Sequence, residues 1–125
     1  MSEFQDYRYP LAFQERKDSS GPTNEDFNFG PVPPGHLWVI TNIAAENETN
    51  NAGSIRVSMT GYGLVHHLAD AKEVANGLIY SFENTYYIPE GRTLRVRMLG
   101  THSADVVTVS VNGFDVIQPE GAKHA

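Results

Sequence analysis

From residue 36 onward, apolar and polar residues alternate in short runs broken by turn residues. Ile55, Val57 and Met59 alternate with Arg56, Ser58 and Thr60; Leu94, Val96 and Met98 alternate with Arg95 and Arg97. A period of two puts each set on one face of a strand whose other face is wet. Residues 36–45 (HLWVITNIAA) are mostly apolar, with the β-branched and aromatic content of a central strand covered on both faces. Further strands are expected over 64–68, 78–82, 85–88, 106–111 and 114–117.

Turn chemistry separates these runs. Pro33-Pro34-Gly35 and Pro89-Glu90-Gly91 are turns, residues 46–53 form an Asn-rich loop, and Gly61 and Gly63 bracket Tyr62 at an expected bend or bulge. Asn112-Gly113, flanked by alternating apolar residues, predicts a closing hairpin, because a type I′ turn needs two positive φ angles. Residues 70–76 (DAKEVAN) predict one or two helical turns ended by Asn76-Gly77. Seven to eight short strands with at most one helix predict an all-β fold, an antiparallel β-sandwich or jelly roll.

Residues 1–33 differ in texture. Phe4, Tyr7, Tyr9, Phe13, Phe27 and Phe29 are scattered among Pro, Gly, Asp, Glu and Ser with neither period, and residues 17–26 read as a loop. Disordered segments are poor in aromatic residues. The stretch is therefore expected to be an extended N-terminal arm whose rings dock on its own domain or on a neighbour. Phe4, Tyr7, Tyr9 and Phe13 are its expected anchors; the alternative is a first strand followed by a loop. The division expected is an arm over 1–33, a sandwich over 34–118 and a tail over 119–125.

Composition narrows the function. The 125 residues carry a net charge of −6 and no cysteine. That excludes disulfides and thiolate chemistry and argues against nucleic acid or an anionic membrane as partner. Met1 to Pro10 lacks an apolar signal region and no run approaches a membrane span, so synthesis in the cytoplasm is expected.

The motifs offer little chemistry. His66 and His67 are neighbours, and on a strand they point to opposite faces and cannot share an ion. Residues 100–105 (GTHSAD) hold Ser, His and Asp together, but proximity in a loop is not triad geometry. No G-x-S-x-G turn or phosphate-binding glycine loop occurs. No catalytic residue, metal ligand or cofactor is assigned, and an enzyme is not expected. Sugar stacking is the stronger competitor, with Trp38, Tyr62, Tyr80, Tyr86 and Tyr87 as ring donors. Trp38, inside the most apolar run, reads as core. Tyr86 and Tyr87 split across two faces, so one of them is an exposed contact.

Residues 33–43 (PPGHLWVITNI), 87–96 (YIPEGRTLRV) and 105–116, including Val111-Asn112-Gly113-Phe114, resemble the framing strands of small β-sandwich structural proteins of tailed-bacteriophage virions, of the decoration or cement type. The resemblance covers about residues 32–117 and is one of pattern. It implies a non-enzymatic virion protein that binds the major capsid protein or other virion proteins, forms a homo-oligomer (a trimer is expected), and stabilises the head. Other virion parts, such as neck, tail or fibre base, and a carbohydrate-binding module are the alternatives.

Overall fold

The computed structural model describes residues 8–19, 24–50, 52–74 and 78–118. Nine strands make up two antiparallel sheets: β1 (Arg8–Asp18), β2 (Asn24–Phe29), β3 (His36–Asn47), β4 (Ala52–Gly61), β5 (Leu64–Val74), β6 (Tyr80–Phe82), β7 (Tyr86–Pro89), β8 (Thr93–Leu99) and β9 (Val106–Ile117). No helix occurs among the described residues, so none there is long and apolar enough to cross a membrane.

One sheet has the order β1-β9-β3-β6, with β7 also on β3; the other is β2-β8-β4-β5. β6 pairs with residues 43–45 of β3, and β7 with residues 37–40. The two behave as one strand broken in the middle. Counting them as one gives eight strands in the order expected of a jelly roll, two interleaved Greek keys closed face to face. The all-β sandwich read from the alternation is the fold observed, and the ninth strand comes from that break.

Between the sheets lie Trp38, Ile40, Ile43, Val107, Val109 and Val111 from the first, and Phe27, Ile55, Val57, Leu94, Val96 and Met98 from the second. Each such burial contributes about 1.5–3 kcal/mol relative to exposure. β3 is central, but only its core-facing side is sealed; Leu37 and Val39 on the other side are half-buried.

Three expectations are corrected by the strand pairing. Residues 70–74, expected to be helical, continue β5, where Asp70 pairs with Arg56 and Lys72 with Ser54. The ladder shifts between Val57 and Ser58, leaving Leu68 unmatched. One extra residue breaks the period of two, and that break hides the strand. Residues 75–76 lie outside the described residues.

The closing hairpin is absent. β9 is continuous through Asn112 and Gly113, held by β1 on one side and β3 on the other. A Cβ on Gly113 would collide with the Val39 carbonyl, and the adjacent ladder shifts between Ile40 and Asn42. This glycine serves close backbone approach at a bulge, the other reason for glycine inside a strand. The type I′ geometry sits instead at Tyr62-Gly63, with φ of 53° and 75°, joining β4 to β5 across the Gly61–Leu64 pair.

Residues 8–18 and 24–29, expected to be part of an arm, supply an edge strand to each sheet: β1 pairs with β9 and β2 with β8. Phe27 and Phe29 are buried, and the Phe13 ring lies 5.5 Å from Phe29 and 5.2 Å from Trp38. The core-facing positions of β1 read Leu11, Phe13, Glu15 and Lys17, so half the apolar signal is replaced by charge. Lys17 uses that position: its ammonium lies 4.5 Å from the Phe27 ring centroid and 3.3 Å from Glu25, and donates to the Asp26 carbonyl at 2.6 Å. An inward charge at an edge also discourages a further strand from pairing there.

Candidate binding surfaces

The loops at one end of the sandwich converge on Asp105, a buried carboxylate at 1% exposure. It accepts from Asn47 Nδ2 at 3.0 Å, the His102 backbone N–H at 2.8 Å and Asn50 Nδ2. Asn47 Oδ1 in turn accepts from the backbone N–H groups of Thr49 and Asn50, each at 3.0 Å. Burial pushes the Asp105 carboxyl up, but these hydrogen bonds and the nearby His102 outweigh it and hold it below the usual carboxylate range. The oxygens of Asp105 are thus committed to amides, and His102 lies exposed beside them with Nδ1 3.7 Å from Asp105. With the Ser19 N–H donating to the Asp105 carbonyl at 2.7 Å, the cluster ties three loops together, and it has no triad arrangement.

His66 and His67 split as the strand period requires. His66 is opposite Met59, while His67 is opposite Ser58 and places Nδ1 3.2 Å from its hydroxyl. Among the described residues no three His, Cys, Asp or Glu side chains stand where they could hold one metal ion.

The aromatic candidates scatter. Tyr86 is buried, so of the pair only Tyr87, 64% exposed, remains as an exposed contact. Trp38 is buried against Phe13. Tyr62 caps the β4–β5 turn, with the Arg92 guanidinium 5.0 Å from its ring centroid. Tyr80 meets Phe82 edge-on at 4.8 Å. The exposed rings are thus Tyr62 on the β4–β5 turn, Tyr80 on β6 and Tyr87 on β7. Of the four expected anchors, Phe13 belongs to the core of its own domain, Tyr9 is half exposed, and Phe4 and Tyr7 lie outside the described residues.

The register reveals a surface that the sequence reading missed. On the outer side of the first sheet, Pro10, Phe114, Val39 and Tyr87 stand in one cross-strand row, and Arg8, Val116, Leu37 and Pro89 in the next. Seven of these eight are apolar or aromatic, and Arg8 lays its guanidinium over the Phe114 ring at 4.7 Å. Pro10, Tyr87 and Pro89 are exposed; Leu37, Val39, Phe114 and Val116 are half-buried. Toward the opposite end the same face turns polar, with Asn42, Ser110, Asn112 and Thr108, and with Arg16 bound to Glu48 at 3.0 Å. Neighbouring apolar rows covering four strands are the layout of a contact surface. The available signal was Leu37 and Val39, apolar at positions out of phase with Trp38 and Ile40.

No protein-family model matches the sequence, and no curated protein matches it. Among solved structures, the chain is similar to T=1 particles derived from infectious bursal virus, at 13% identity and a TM-score of 0.35, over 94% of this chain and 42% of that one. It is also similar to the T13 particle of infectious bursal disease virus, at 13% identity and a TM-score of 0.34, over 96% and 42%. A third is the VP2 subviral particle of that virus, at 14% identity and a TM-score of 0.30, over 94% and 43%. The chain spans less than half the length of these capsid chains. At such TM-scores the likeness assigns no function. The tailed-phage resemblance has no counterpart among these neighbours.

Proposed function

We propose that this chain is a non-enzymatic virion structural protein, a capsid decoration protein that attaches to the head of a tailed phage and clusters there in threes. The observation that supports this reading is the apolar end of the first sheet. A jelly roll by itself serves capsids, lectins and enzymes alike, so the fold does not choose among them. An ordered apolar surface without a catalytic constellation beside it suits attachment. Repetition of that contact over a symmetric shell turns modest affinity into firm binding. Phe4 and Tyr7, which precede the corner of that surface at Arg8, are proposed as additional anchors.

A triple variant tests the reading. Val39→Thr, Val116→Thr and Tyr87→Thr remove apolar surface while keeping residues that suit strands. Co-sedimentation with particles lacking the protein is expected to weaken at least about tenfold, since an anchoring side chain contributes on the order of 1 kcal/mol or more. Folding stability is expected to fall by about 1 kcal/mol at each of the half-buried valines and by no more than about 0.5 kcal/mol at the exposed Tyr87. Undiminished particle binding by a folded triple variant contradicts the proposal.

A further inference from the structure

The outer face of the second sheet has the opposite character. Its cross-strand rows read Asn28, Arg95, Ser58, His67 and, next to them, Asp26, Arg97, Arg56, Asp70. Three of the nine basic residues of an acidic protein meet here. Arg97 and Arg56 are directly opposite each other, a repulsive arrangement for like charges. Each has a carboxylate on its far side. Arg97 makes a two-pronged pair with Asp26 at 2.7 and 3.0 Å, and Arg56 lies 3.9 Å from Asp70.

Arg95 has no such partner among the described residues. Its lateral neighbours are Asn28 and Ser58, and its Nε is buried without a hydrogen-bond acceptor. A buried N–H without an acceptor is unfavourable, and such groups in native proteins call for a cause. Arg95 also borders a depression of about 330 Å³, together with Arg56, Arg97, Ser58, His67 and Val65. That lining contains no acidic residue.

We propose that this depression is a binding site for a carboxylate, with Arg95 as the principal ligand-binding residue and Arg56, Arg97 and the Ser58–His67 pair around it. The charge balance selects the class of anion. Within the two rows, three guanidinium groups stand against two carboxylates, an excess of one positive charge. A single carboxylate neutralises it. A phosphate dianion would bring excess negative charge close to Asp26 and Asp70. The fork of a guanidinium can grip a carboxylate or a phosphate with two parallel hydrogen bonds, so charge rather than shape decides between them here. The site lies on the sheet opposite the apolar surface, so it does not depend on the attachment proposed above.

The test follows the Arg95 side-chain Nε–H resonance by NMR in the full-length protein. Sodium acetate serves as the free carboxylate, a blocked glutamate-containing peptide as the chain-borne one, and sodium chloride at equal ionic strength as the control. A saturable shift with acetate or peptide, absent with chloride, is expected. Tighter binding of the peptide would identify an acidic side chain of a partner as the natural ligand; equal binding would identify a small organic acid. Arg95→Gln is expected to weaken binding at least about tenfold and Arg95→Lys by less, because Lys keeps the charge but not the fork. Both variants are followed by backbone amide shifts at the site, with melting temperature as the folding control. Shifts that grow without saturation and match those with chloride overturn the proposal. So does undiminished binding by a folded Arg95→Gln protein, and tighter binding of phosphate overturns the assignment to a carboxylate.

Discussion

An alanine at position 113 would push a methyl group into the Val39 carbonyl, in a strand held on both sides. Gly113→Ala is expected to cost about 3 kcal/mol, the upper range for forcing atoms into a packed interior. Gly63→Ala meets no neighbouring atom and costs only its left-handed backbone, about 1 kcal/mol. Denaturant midpoints of the two variants check the order, and equal losses would contradict it. Titration is also decided at this scale. The hydrogen bond from Arg97 holds the Asp26 carboxyl below its ordinary 3.8, and Asp105 is likewise lowered. Unfolded chains therefore take up these protons first as the pH falls. The stability they contribute is complete above about pH 5 and is lost as the pH drops through the folded-state values. Asp26→Asn should flatten the fall in stability between neutral and acidic pH; an unchanged pH dependence would show that this pair does not carry it.

At the scale of elements, regular alternation was legible and its interruptions were not. β4 and β8 announce themselves through Ile55-Val57-Met59 and Leu94-Val96-Met98, because every core position is apolar. β5 was cut short because the bulge at Leu68 moves Ala69 and Ala71 into the core phase, and two alanines beside Lys72 and Glu73 resemble helix composition. β1 was read as an arm because Glu15 and Lys17 occupy core-facing positions at an edge. Asn112-Gly113 carries the residues of a turn, yet only the pairing of β9 on both sides shows that the chain passes straight through. Local sequence states what a residue permits; the neighbouring strand decides which use is made of it. The two candidate surfaces escaped for the same reason. Val39, Phe114 and Tyr87 are far apart in sequence and come together only through register, as do Arg56, Arg95 and Arg97 with His67.

For the whole molecule, the two sheets present unlike outer faces: one with an apolar end, the other with a cluster of arginines. A protein attached to a shell by one broad face and leaving the other outward has this division of surface. The central claim, a decoration role, predicts how many copies a particle carries. Quantitative mass spectrometry of purified particles from the source of this chain, measured against the major coat protein, tests it most directly. Copies comparable to the coat protein are predicted. A dozen or so copies would place the chain in the neck or tail, and its absence from particles would contradict a virion role altogether.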